Sequence, residues 1–220
     1  INAKVTKVLS SFSYIQKYGF MDTCIDVKHL RNRMANLHDI VQWCNQTLKA
    51  NEFKDYAPNG LQIEGKSKVN KIVCAVTASE DAIDAAIAQQ ADALLVHHGY
   101  FWKGEPYPIT GMRGNRIKKL IQNNISLIAY HLPLDAHPVL GNNAAIAELI
   151  GLQDLEALDP TEKHPIGNIG YLDQALSPEQ FKERLQAVFD FSVLHLACDK
   201  ALIQKVGFCT GRSEEHTSEL

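Results

Sequence analysis

Apolar positions along the chain switch repeatedly between a helical period and short unbroken runs. In MANLHDIVQWCNQTL, which starts at Met34, the residues Leu37, Ile40, Val41, Cys44 and Leu48 fall on one helical face. Asn36 stands where an N-cap is needed, and Asp39 sits at the capping-box spacing. A Pro/Gly-punctuated loop, DYAPNGLQIEG, then leads to KIVCAVT, a β-branched apolar run of strand length. Ser79 precedes an acidic first turn, Glu80-Asp81, and Ile83, Ala86 and Ile87 supply the apolar face of a helix ending near Gln90. ALLVH is the next strand. GNRIKKLIQNN follows as a helix with Ile117, Leu120 and Ile121 inward, then ISLIAYH as a buried strand and NNAAIAELIG as a helix closed by Gly151.

Strands apolar on both faces that alternate with helices of about a dozen residues predict an α/β fold, with parallel-type sheets covered by helices. Beyond roughly residue 152, DPTEKHPIGN reads as a polar linker or loop. YLD, the helix SPEQFKERLQAVF and the strands FSVLHL and KVGFCTG then open a further unit. The expected organisation is a first α/β half over 34–152 and the start of a second half over 153–211.

Both ends break the pattern. Residues 1–33 show no sustained period and are either a genuine extension or upstream sequence read in frame. RSEEHTSEL, residues 212–220, is polar and aperiodic and reads as a translated sequencing adapter.

Composition narrows the function classes. The net charge of −3, with both signs interspersed, disfavours a nucleic-acid partner, which would call for a basic excess. The five cysteines, Cys24, Cys44, Cys74, Cys198 and Cys209, are odd in number, scattered and without a CxxC, which points to a reducing, cytoplasmic compartment. No apolar run approaches the roughly 20 residues that span a bilayer. There is no GxxxxGK[ST] loop and no GxSxG elbow, so triphosphatase and serine-hydrolase readings lack support.

The chemistry concentrates in two segments. ALLVHHGYFWKGEP sets His97 and His98 at the carboxyl end of a buried strand, where α/β sheets build their sites. Strand neighbours point to opposite faces, so sharing a ligand requires the backbone to leave the strand, and Gly99 is the residue expected to permit that. The plain alternative is one core and one surface histidine. The next strand end, ISLIAYHLPLDAHPVLGNN, adds His131, Asp135 and His137 at the same edge, and imidazole with carboxylate suits Zn, Fe, Mn, Ni or Co rather than Ca or Mg. Asp135 can instead cap a turn, His131 can bind or orient a ligand from behind, and His137 is either loop polarity or a substrate contact. Lys103 and Glu105 are candidates for an anionic substrate or proton transfer, against loop packing. Asn142 and Asn143 read as helix caps.

VHHGYFWKG together with HLPLDAHPVLGNNAAIA resembles the paired signature of the Nif-three-like family, whose bacterial members are often labelled homologs of GTP cyclohydrolase 1 type 2. NGLQIEG and GMRGNRIKKL are also in pattern, and the likeness runs from about Met34 to Gly211. The resemblance implies two divalent transition-metal ions in a fold of two similar halves assembled as a ring-shaped hexamer. It implies His97 on one ion and His98 with Asp135 on the other. Family members add a histidine and a bridging glutamate from a motif near the C-terminus, which the sequence after VGFCTG does not contain, so the second half is expected to be incomplete.

Three functions compete at this point. The first is a metal-dependent hydrolase acting on a cyclic amide or nucleotide-like small molecule. The second is a non-enzymatic hexamer that binds metal or scaffolds partners, and the third is a ring that threads nucleic acid, which the acidic charge lowers.

Overall fold

The computed structural model describes residues 24–26, 35–189, 192–196 and 201–210. The remaining residues of the leader and all of 212–220 lie outside the described residues. The chain divides into two compact units, Ile1–Leu134 and Asp135–Leu220.

The first unit is built on a five-stranded sheet. Its strands are β1 (Cys24–Asp26), β3 (Gly60–Ile63), β5 (Lys71–Thr77), β6 (Ala93–His98) and β7 (Ser126–Ala129), in the order β1-β5-β6-β7-β3. The centre, β5-β6-β7, is parallel, as the alternation of strands and helices predicts, while β1 and β3 close the edges antiparallel. A short ladder pairs β2 (Ala35–Asn36) with β4 (Lys68–Val69).

Among the described residues, three α-helices belong to this unit: α1 (Leu37–Leu48), α2 (Glu80–Ala88) and α3 (Gly111–Gln122). The first two start on side-chain caps. Asn36 accepts from the His38 amide at 2.9 Å, and Ser79 accepts from the Ala82 amide at 3.2 Å. Ala82, Ile83 and Ala86 of α2 and Ile117 and Leu120 of α3 pack in one core with Val73, Ala75, Leu94, Val96, Leu127 and Ala129 of the parallel strands. The intervening residues Ile72, Cys74, Leu95 and Ile128 are buried as well, so both sheet faces are covered.

In the second unit, β8 (Leu152–Ala157), β9 (Asn168–Leu176) and β10 (Ile203–Phe208) form an antiparallel sheet, so the parallel pattern of the first unit is not repeated in it. Helices α5 (Asn142–Ile150) and α6 (Pro178–Phe189) cover it, with Ala147, Ile150, Leu152 and Leu172 as the core. Gly151 ends α5 at φ 74°, and its amide reaches the Ala147 and Glu148 carbonyls, as its position after the periodic run predicts. The five-residue α4 (Leu132–Ala136) carries the chain across the boundary between the units.

Four local expectations change. The segment read as a plain loop contains β3, whose two alternating apolar residues are too short a pattern to stand out beside Pro and Gly. Ile121 is 57% exposed, because Ile117 and Leu120 alone fill the contact of α3 with the sheet. DPTEKHPIGN does lie between two strands, but residues 152–157 before it, assigned to no element, form β8, an edge strand exposed along most of its length and therefore without a burial pattern. Residues 192–196 form no strand, and Leu194 and Leu196 are 87% and 80% exposed, since β-propensity without a partner strand does not make a strand.

Candidate metal centre

Three imidazoles meet at the carboxyl edge of the parallel strands. His97 and His98 close β6, and His131 follows β7 two residues beyond its last paired position. One ligand atom from each ring can be chosen so that all three lie within 4.8 Å of one another. An ion held at about 2.1 Å from each nitrogen needs them somewhat closer than that. The ring centroids of His97 and His98 are 4.4 Å apart, although they are strand neighbours, and His131 stands 5.0 and 5.7 Å from them. Both residues still belong to β6, with His98 paired to Thr77, so the rings approach each other without the backbone leaving the strand.

The surroundings set the rings' tautomers and orientation. His97 Nδ1 lies 2.9 Å from the Tyr130 carbonyl, which only accepts, so Nδ1 carries the proton and Nε2 the lone pair. His131 Nδ1 lies 2.7 Å from Asp55 Oδ1, the carboxylate–imidazole arrangement that orients metal-binding histidines. His98 Nδ1 pairs with Thr77 Oγ1 at 3.2 Å, a bond that works in either direction. Trp102 covers the group, its ring edge-on to His131 at 4.9 Å and its indole N–H donating to the Gly99 carbonyl.

Burial holds the His97 imidazole down at about 4, helped by the charge of His131 and opposed by Tyr130 and Asp55. Burial, then His97 and His131, hold His98 down at about 3. Both rings are therefore neutral near pH 7, the form a metal requires. A consequence follows for the metal-free chain. Below about pH 6.5 the unfolded chain takes up protons that the native rings refuse, so stability falls as pH drops from there toward about 4. The slope is at most about 1.4 kcal/mol per pH unit for buried His97, and less for the partly exposed and screened His98. Urea midpoints at pH 7.5, 6 and 5 check this, and a flat profile would contradict it.

Gly99 has a role other than the one its position suggests. Its backbone is not in the left-handed region; that conformation falls to Phe101, at φ 66°. A Cβ at Gly99 would instead stand 2.2 Å from Gln62 Oε1 and 2.8 Å from the Ala129 Cβ, so the glycine is needed for close approach. Gln62 uses that space to accept from the Tyr100 amide at 2.7 Å, fixing the turn after the histidines.

Asp135 lies in the second unit and is 1% exposed. Its Oδ1 accepts from Asn142 Nδ2 at 2.7 Å and from Thr210 Oγ1 at 3.1 Å. Asn143 donates to the Asp135 carbonyl and accepts from the Thr210 amide. Asn142 and Asn143 are thus anchors of Asp135 inside the first turn of α5, whose cap is Gly141, and not the caps themselves. His137 Nδ1 accepts from the amides of Val139 and Leu140, so that ring folds the loop leading to α5. Glu105 braces its own loop, accepting from Arg113 at 2.6 Å and from the Trp102 amide at 3.1 Å. Lys103 is exposed, and its amide donates to the Tyr56 carbonyl.

Sequence reasoning missed Asp55 and Asn59. Asp55 accepts four hydrogen bonds, from Tyr56 N and His131 Nδ1 on one oxygen and from Asn59 Nδ2 and Leu132 N on the other. Burial pushes its carboxyl up, but the bonds from His131, Asn59 and Tyr56 outweigh burial and leave it below the usual carboxylate range. Asn59 also accepts from the His131 amide. The available signal was an Asp and an Asn four apart in a loop, DYAPNG, that looked like mere turn chemistry.

Relatives and solved structures match this framework. The chain is 51% identical over 176 residues to a Vibrio cholerae protein named GTP cyclohydrolase 1 type 2 homolog, covering 78% of this chain and 69% of that one. A Haemophilus influenzae protein of the same name is 47% identical, over 81% of this chain and 70% of its own. Among solved structures, the protein ybgI, described as of unknown function, superposes with a TM-score of 0.76 at 41% identity, covering 82% and 71% of the two chains. TTHA1606 from Thermus thermophilus gives 0.68 at 33%, over 80% and 70%. No helix among the described residues is long and apolar enough to cross a membrane. The sequence model of Duf34/NIF3 (NGG1p interacting factor 3) matches residues 35–220, nearly all of the chain from the capped first helix onward, and the chain belongs to that family.

Proposed function

We propose that His97, His98 and His131 hold a divalent transition metal (Zn, Fe, Mn, Ni or Co) and that the protein is a metal-dependent hydrolase of a cyclic amide or nucleotide-like substrate. The observation that carries the reading is the cluster itself: three imidazoles at one strand edge, two of them neutral by burial and the third oriented by a carboxylate. The name borne by the Vibrio and Haemophilus relatives supports the reaction class. A metal bound there would acidify a water and polarise the bond to be cleaved. The chain's own residues do the rest: Tyr130 and Asp55 keep the Nδ1 protons of His97 and His131 in place, and Trp102 shields the rings from water. In this proposal Asp135 supplies the carboxylate of a second ion, as the family resemblance implies, and the assembly is a ring-shaped hexamer. Tyr107, Ile109 and Met112, apolar and exposed, are the kind of surface an assembly would cover.

Elemental analysis of the purified chain after loading tests the first part. The wild type is expected to retain metal through dialysis, while His97→Ala and His98→Ala bind it more than about a hundredfold more weakly. Retention by both variants would refute the site. Turnover of a nucleotide and cyclic-amide panel tests the second part, and metal retained without turnover would refute hydrolysis while leaving the metal site standing. Light scattering tests the hexamer.

A further inference from the structure

An open cleft of about 480 Å³ lies in the first unit beside the histidine cluster, bounded among others by Phe53, Asp55, Tyr56, Asn59, Phe101 and Lys103. Two of these, Asp55 and Asn59, are the residues that hold His131. We propose that the cleft binds a planar aromatic anion, its ring against Tyr56 and Phe101 and its charge on Lys103. This names the substrate class of the metal centre proposed above and rests on that reading for its catalytic meaning, but the binding itself does not require a metal.

Asp55 closes one side of the cleft. It is the only carboxylate among the lining residues, and all its acceptor positions are taken by Tyr56, His131, Asn59 and Leu132. It therefore has no lone pair to offer a ligand and contributes a wall rather than a grip. The Lys103 ammonium is exposed and makes no ion pair among the described residues, so it is the one charged lining group with donors left to bond a ligand, and what it bonds is an anion.

The walls supply the rest. Tyr56 is 44% exposed, an aromatic surface left open to solvent where a ring can stack. Phe101 is held at φ 66°, a conformation rare for a bulky residue and found where the placement of a side chain matters. The Lys103 amide donates to the Tyr56 carbonyl at 2.7 Å, tying the two loops together and forming the site before any ligand arrives. The volume falls within the usual range for small-molecule sites.

The test is calorimetric titration of the full chain with adenosine 5′-monophosphate, adenosine and inorganic phosphate, with chelator and again after metal loading. Adenosine 5′-monophosphate is expected to bind saturably, at least about tenfold tighter than either fragment. Lys103→Glu should weaken it by about tenfold or more and leave adenosine within about twofold, while Tyr56→Ala should weaken both. Neither substitution removes the backbone bond between the loops. No saturable binding of the nucleotide, or equal affinity in both variants, would overturn the proposal, as would phosphate binding as tightly as the nucleotide. Binding that persists in a chain unable to retain metal would uphold the cleft and refute the metal reading. Metal retention without nucleotide binding would do the reverse.

Discussion

Replacing Asp55 by Asn is expected to destabilise the first unit by about 3 kcal/mol and to weaken metal binding between roughly tenfold and a hundredfold. The substitution looks conservative and is not. Every partner of Asp55 is a donor: two backbone amides, the Asn59 amide group and the His131 ring. An asparagine in either orientation turns its own NH2 toward two of them, so two bonds become donor–donor contacts in a site only 3% exposed. The loss reaches the metal because His131 is positioned twice over, through its ring by Asp55 and through its amide by Asn59. Urea unfolding and competitive metal titration of the same preparation measure both effects. Wild-type metal affinity in a correctly folded Asp55→Asn chain would remove His131 from the site.

Gly99→Ala is expected to cost about 2 to 3 kcal/mol and to disturb metal binding as well. The backbone there is acceptable to any residue, so the whole cost is one of contact. The new methyl would stand 2.2 Å from Gln62 Oε1, 2.7 Å from its Cδ and 2.8 Å from the Ala129 Cβ. Gln62 can swing away only by releasing the Tyr100 amide and the Pro58 carbonyl, and Ala129 is fixed in the neighbouring strand. The relief left to the chain is to shift the turn, which carries His98 with it. An unfolding free energy from urea titration within about half a kcal/mol of wild type would show that the turn absorbs the methyl freely.

These two effects mark where the sequence was readable. The caps at Asn36 and Ser79, the closing Gly151 and the buried parallel strands were legible because each is local: a side chain bonds its own helix end, and a strand covered on both faces must be apolar throughout. The His97-His98 pair was legible as a candidate because carboxyl strand ends are where such folds place chemistry. Strands and turns whose definition depends on a distant partner were not. β3 exists because β7 offers it an edge, and the apolar run at 192–196, which has no such edge, forms no strand.

By itself, the sequence determined an α/β frame, a family likeness and a histidine pair with a second histidine-bearing strand end. Only the tertiary structure decided that His131 stands with His97 and His98, that Asp55 from a loop 76 positions away holds it, and that Gly99 is a matter of space rather than of φ. The physical reason is that periodicity reports which face a residue presents to the core, whereas a site is made by side chains of separate segments. Their distances are fixed only when the strands take their places in the sheet.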